Sequence, residues 1–279
     1  MRITNILDLW LNPMTFGEMF KKIDDWLASD ERRSFHIATV NAYCATLAMK
    51  NQRLRNIYNG ADIVGVDGTP FLYWIRYVRR MPSDHLCAAE IIFQMAEHAK
   101  QTKYTFYLYG GSPQVVSTMQ KNLETMFPHM RIVGAMSPPF RPLTPEEDEK
   151  IVEEINGLNP DIILVGLGTP KQDYWIEDHI YRIRGSVMLA AGATFDFFGG
   201  RIRMAPKFIR KSGFEWLFRL LSKDFFRLFR RYTLLNAIFL FNFLLQLVGL
   251  RKTNARRWVR TDLPDATVAS VGDAGSVSN

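Results

Sequence analysis

Through the first 200 residues, short apolar runs alternate with amphipathic stretches. Six runs have the length and the apolar or β-branched content of strands buried on both faces, at 35–40, 61–66, 105–109, 132–135, 161–166 and 186–191. Helical periodicity between and beside them predicts helices over 15–28, 42–57, 71–79, 88–100, 113–127, 145–156 and 171–182. Alternating strands and helices imply parallel strands joined by helical crossovers, hence an α/β layer fold. Ser112-Pro113 and Thr144-Pro145 each set a capping hydroxyl before a proline at the first helical position. Leu158-Asn159-Pro160-Asp161 breaks the chain before the fifth strand.

The pattern changes after Gly200. Residues 201–260 carry 15 Lys/Arg against two acids, a net of +13, while residues 1–200 are slightly acidic. Inside the basic segment, residues 232–250 hold no charge and are bracketed by Arg230-Arg231 and Arg251-Lys252. A basic, apolar end on a neutral body suits an anionic membrane surface. A nucleic-acid footprint needs the charge but not the apolar run, so no nucleic-acid partner is expected. As a helix, 232–250 would reach about 28 Å, at the edge of the bilayer core. Asn236, Asn242 and Gln246 weaken a lone span, so a helix lying in the interface is expected over one that crosses. The expected units are a catalytic domain over 1–200, a basic appendage over 201–231, a membrane-associating helix over 232–250, and a basic then disordered tail over 251–279.

Candidate chemistry lies in four loops that follow strands, where parallel α/β sheets bind ligands. They are Thr39-Val40-Asn41, Gly65-Val66-Asp67-Gly68-Thr69-Pro70, Tyr109-Gly110-Gly111-Ser112-Pro113 and the loop from Gly166 through Gly168 to Lys171-Gln172. Asp67, at the end of an apolar strand, suits a general base, although strand-end Asp residues also cap helices. Gly110-Gly111 leads into a helix start, a place for phosphate or simply a tight turn. A dense run of small and aromatic residues surrounds Asp196, between Ala191 and Gly200. The sequence contains no dinucleotide or P-loop glycine fingerprint and no G-x-S-x-G elbow. The five histidines are scattered and the two cysteines, Cys44 and Cys87, match no metal-ligand spacing, so neither a metal nor a cofactor is expected. Free cysteines and the lack of an apolar leader point to a cytoplasmic body.

Six motifs, in order, carry a family resemblance: Thr39-Val40-Asn41-Ala42, Val66-Asp67-Gly68, Gly166-Leu167-Gly168-Thr169-Pro170-Lys171-Gln172-Asp173, Gly192-Ala193-Thr194-Phe195-Asp196-Phe197, Arg203-Met204-Ala205-Pro206 and Gly213-Phe214-Glu215-Trp216-Leu217-Phe218-Arg219-Leu220. From about Ile3 to Tyr232 the chain resembles the bacterial WecG/TagA/CpsF glycosyltransferases. That resemblance implies a Rossmann-like α/β fold, a mostly parallel sheet flanked by helices, with a basic helical C-terminal appendage. It implies metal-independent, inverting transfer from a UDP-sugar to a polyprenyl-diphosphate-linked saccharide, in surface or exopolysaccharide biosynthesis at the cytoplasmic face of the membrane. It makes Asp67 the base, with Thr39 and Asn41 beside it, Arg80 near the leaving diphosphate and Gln172 on the nucleotide sugar. Arg219, Arg227 and Arg230 would meet the acceptor's pyrophosphate. A homo-oligomer is left open. The chain departs from the family where Arg-Val-x-Gly-x-Asp-Leu is usual: it reads Arg80-Met81-Pro82-Ser83-Asp84-His85-Leu86, so the acid is either lost or moved to Asp84. A non-catalytic scaffold and an NAD-dependent oxidoreductase are the competing readings. The first rests on that altered stretch, and the second is weakened by the missing glycine fingerprint.

Overall fold

Successive side chains of each central strand go to opposite faces of one sheet, and this alternation divides the core in two. The computed structural model describes residues 1–30, 33–202 and 225–253; of residues 225–234 it describes the backbone alone. The strands are β3 (Phe35–Val40), β4 (Ile63–Val66), β5 (Thr105–Gly110), β6 (Arg131–Met136), β7 (Ile162–Gly166) and β8 (Val187–Ala190), all parallel in the order β4-β3-β8-β7-β5-β6. Phe35, Ile37, Phe106, Leu108, Ile162, Leu164, Val187 and Leu189 meet α1 (Phe16–Leu27), α5 (Ala88–Thr102), α6 (Pro113–Met126) and α9 (Gly192–Phe198) on one face. On the other face, Ala38, Val40, Val64 and Val66 meet α2 (Ala42–Lys50), α3 (Gln52–Gly60) and α4 (Thr69–Tyr73). Tyr107, Tyr109, Ile163, Val165 and Met188 meet α7 (Pro145–Leu158) and α8 (Lys171–His179) there. The expected parallel α/β fold and its six strands are those observed.

One expected helix is corrected, and two further elements appear that the sequence pattern does not assign. The helix expected over 42–57 is two, because Asn51 leaves the helical region (φ −130°, ψ 103°) and caps α3 by accepting from Leu54 N. Asn51 also donates to the Tyr174 hydroxyl at 2.7 Å, which ties the break to α8. The small-residue run after Ala191 is a helix, α9, whose Phe195 and Phe198 bury in the core. An unexpected hairpin, β1 (Thr4–Ile6) and β2 (Leu9–Leu11), turns through Leu7 and Asp8, both at positive φ.

The C-terminal apolar segment forms α10 (Phe225–Leu247), and part of it is seated on the domain. Phe239 and Phe243 are buried, with their rings against Phe71 at 4.8 and 6.2 Å, and Phe243 also meets Trp74 at 5.8 Å. Gln246 accepts from Leu7 N at 2.8 Å and donates to Asn5 O at 3.0 Å, filling backbone positions of the hairpin. Gln246, one of the three polar residues expected to weaken a span, thus holds the helix to the body. Among the described residues no helix is long and apolar enough to cross a membrane.

Asp173, in the first turn of α8, is almost fully buried, and its Oδ2 has no hydrogen-bond partner among the described residues. Burial pushes its carboxyl up to about 7, only partly offset by the Thr169 hydroxyl. Its folded value lies above the unfolded one, so the stability it contributes is full below the ordinary carboxylate range. That stability is lost as pH rises through about 7. Urea unfolding of wild type should therefore show falling stability from pH 5 to pH 8, and Asp173→Asn should flatten that fall. An identical pH slope in both proteins would contradict the assignment.

Candidate active site

Because all six strands run the same way, their carboxyl ends share one edge, and a cleft of about 1910 Å³ opens along it. Thr39, Asn41, Asp67, Gly111, Gly168, Lys171, Gln172 and Asp196 all line it. Asn236, Phe239 and Leu240 of α10 form part of one wall, so seating the C-terminal helix completes the cleft.

Asp67 leaves the end of β4 with its backbone N–H on Val40 O at 3.0 Å, which registers it beside the end of β3. Asn41 Oδ1 accepts from Cys44 N at 3.1 Å and caps α2. With the amide oxygen committed to that cap, the amide nitrogen faces the cleft and donates to Asp67 Oδ2 at 3.1 Å. Asn41 thereby aims the carboxylate instead of merely lying beside it.

The other carboxylate oxygen faces His85. His85 Nε2 lies 3.0 Å from Asp67 O and 3.5 Å from Oδ1. A carbonyl only accepts, so in this arrangement Nε2 is the donor. Leu86 sets the approach: it is fully buried, and its N–H bonds Val66 O at 3.0 Å. The residues on either side of Leu86, His85 and Cys87, both line the cleft. Asp84 turns the other way. Its Oδ2 accepts from Phe16 N at 2.8 Å and its Oδ1 lies 3.8 Å from Arg76. Of the two alternatives left by the sequence, the acid has not moved into the cleft at Asp84; a histidine faces the candidate base instead. Reading the histidines as scattered missed this, because the signal lies in the Asp84-His85-Leu86 register and not in any spacing between histidines.

Gln172 is buried at the cleft floor. Its Oε1 accepts from Gly168 N at 3.0 Å and Gly192 N at 2.9 Å, while Nε2 donates to Thr169 Oγ1 at 3.3 Å. It binds the loop after β7 to the start of α9, so its acceptor is spent within the protein. A Cβ at Gly192 would stand 2.8 Å from that oxygen. Lys171 opens α8 at the cleft, and Asp196 pairs with Arg201 Nε at 3.2 Å. Gly110 does not line the cleft. At φ +133° it lies opposite Gly166, where a Cβ would come within 2.5 Å of the Gly166 carbonyl carbon, so it serves close strand approach. Arg80 is exposed at φ 52° behind the π-helical turn 74–78, away from the cleft lining. Arg219 lies outside the described residues, as do the side chains of Arg227 and Arg230.

The far end of the cleft was not foreseen. There Tyr109 stacks on Trp175 at 4.3 Å, and Trp175 on His179 at 4.2 Å. His179 is held by Trp175 O at 2.7 Å and Asp148 at 3.0 Å.

The profile of the Glycosyl transferase WecG/TagA/CpsF family matches residues 4–253. Among similar proteins is the N-acetylglucosaminyldiphosphoundecaprenol N-acetyl-beta-D-mannosaminyltransferase of Staphylococcus aureus (strain NCTC 8325 / PS 47), 26% identical over 217 residues, 78% of this chain and 84% of that one. The enzyme of the same name from Bacillus spizizenii (strain ATCC 23059 / NRRL B-14472 / W23) is 23% identical over 193 residues, 69% of this chain and 73% of that one. The family match covers nearly the whole described chain, its candidate base, capping asparagine and glutamine-tied loops included, and the protein belongs to the WecG/TagA/CpsF family of glycosyltransferases.

Proposed function

We propose that this protein transfers a sugar, with inversion, from a UDP-sugar to a saccharide carried on a polyprenyl diphosphate, in the synthesis of a bacterial surface polymer. The observation that carries the reading is the Asp67 carboxylate, held in the cleft by Asn41 on one oxygen and faced by His85 on the other. The acceptor hydroxyl attacks the anomeric carbon from the face opposite the nucleotide. Its proton passes to the Asp67 carboxylate as the bond to UDP breaks and the electron pair leaves with the diphosphate. Thr39 lies at the sugar end beside this pair. Lys171 and the N-termini of α6 and α8 offer positive charge and N–H groups to the leaving diphosphate. Arg219, Arg227 and Arg230 are assigned to the acceptor's pyrophosphate from the sequence alone.

A lipid-linked acceptor requires docking at the bilayer, and the outer face of α10 suits it. Phe241 is 63% exposed, with Leu244 and Leu247 exposed along the same helix and Val248, just past its end, 68% exposed. The π-helical turn packed on α10 through Trp74 exposes Tyr77 and Val78, beside Arg79 and Arg80. Apolar and basic groups together support the reading of a monotopic helix in an anionic interface, with the cytoplasmic face taken from the sequence resemblance.

With detergent-dispersed polyprenyl-diphosphate acceptors and a panel of UDP-sugars, UDP-N-acetylmannosamine first, wild type should transfer sugar. Asp67→Asn should lose roughly 100-fold or more in kcat while keeping its affinity for UDP. A variant that transfers at the wild-type rate would remove Asp67 as the base. Replacing both Phe241 and Leu244 by Asp should weaken sedimentation with anionic vesicles roughly tenfold or more. Turnover of a short-chain, water-soluble acceptor should be retained. Unchanged vesicle binding would place the membrane contact elsewhere.

A further inference from the structure

Asp67, His85 and Cys87 bring a carboxylate oxygen, an imidazole nitrogen and a thiol sulfur within 4.8 Å of one another, and all three residues are half-buried and line the cleft. This is a constructed arrangement. Leu86 is buried and anchored to β4 through Val66 O, and the residues on either side of it, His85 and Cys87, line the same cleft as Asp67. Cys87 also occupies the N-cap position of the 15-residue helix α5, without a side-chain cap hydrogen bond, where the helix dipole favours an anionic sulfur. One oxygen, one nitrogen and one sulfur ligand with a remaining position open to the cleft is the donor set of a tetrahedral zinc site, and the thiolate disfavours magnesium or calcium.

We propose that Asp67, His85 and Cys87 form a binding site for a soft divalent cation of zinc's chemistry, and that the cation inhibits the enzyme by occupying its base. The inhibitory half rests on Asp67 serving as the base; the binding half does not. Coordination through His85 Nε2 exchanges its hydrogen bond to the Asp67 carbonyl for a bond to the metal. The Cys87 thiol releases its proton, an imidazolium at His85 would release one too, and a neutral imidazole moves its Nε2 proton to Nδ1, so binding strengthens as pH rises. The Asp67 lone pairs needed to accept the acceptor's proton are then held by the metal, so metal and transfer exclude one another.

The test uses the full chain, stripped with a chelator, kept in a thiol-free reductant and titrated with Co²⁺ alone. Wild type should develop a thiolate-to-cobalt charge-transfer band together with tetrahedral d–d bands, at one ion per chain, and Zn²⁺ should bleach both. Cys87→Ser should lose the charge-transfer band, and His85→Gln should weaken binding at least tenfold, the lower end of what losing even an outer-shell partner does. No band in wild type, or the same band in Cys87→Ser, overturns the site; the second result would place the metal at Cys44. In transfer assays Zn²⁺ should inhibit wild type relative to its metal-free rate, and Cys87→Ser should need at least tenfold more Zn²⁺ relative to its own. Binding without inhibition overturns the competition. Cobalt binding by a wild type that transfers no sugar would count against the transferase reading and leave the site standing.

Discussion

Asn41 divides one amide between two tasks, and the site depends on that division. Its oxygen closes the first turn of α2 on Cys44 N, and its nitrogen consequently faces Asp67 Oδ2. A helix cap is part of folding, so the carboxylate is oriented before any substrate arrives. An oriented acceptor of protons needs no reorganisation at the moment of reaction, which is the physical basis of preorganised catalysis. The same economy recurs at Gln172, whose single oxygen gathers Gly168 N and Gly192 N and so fixes two strand-end loops against each other. Gln172 thus holds backbone with its oxygen, while Asn41 holds both a helix start and the Asp67 carboxylate.

The C-terminal helix extends this logic from the loops to the whole cleft. Phe239 both packs on Phe71 and lines the cleft, so the contact that seats α10 also supplies part of the wall. The opposite face of α10 remains apolar and exposed. Under the proposed function, one helix therefore connects the bilayer to the reacting centre. Gln246, bonded to Asn5 and Leu7, ties that helix to the N-terminal hairpin.

Much of the fold was legible because parallel strands buried on both faces read as continuous apolar runs, as at 162–166, and because helix starts carry local chemistry. Thr144 caps α7 ahead of Pro145 as the sequence suggests, and Glu147 completes a capping box with it. The hairpin at Thr4–Leu11 was not legible, since three-residue strands leave no periodicity to count. Asn51 was missed because one residue interrupts an otherwise helical pattern for a reason 123 positions away, the Tyr174 hydroxyl. Asp67 and Asn41 were legible from strand-end position and resemblance. His85 was not, because its approach to Asp67 is decided by Leu86 burying behind it, a packing event that spacing does not encode. Arg80 and Gly110 show the converse: both are candidate site residues in the sequence, yet one is exposed away from the cleft lining and the other lies where strands approach closely.

The account stands on a single displacement in which Asp67 takes the acceptor's proton and no residue forms a bond to the sugar. The anomeric configuration of the product tests this most directly. With an α-linked UDP-sugar donor, NMR of the transferred sugar should show a β linkage throughout. An α linkage would contradict the account, because retention requires a different arrangement of attack from the one assigned to this cleft.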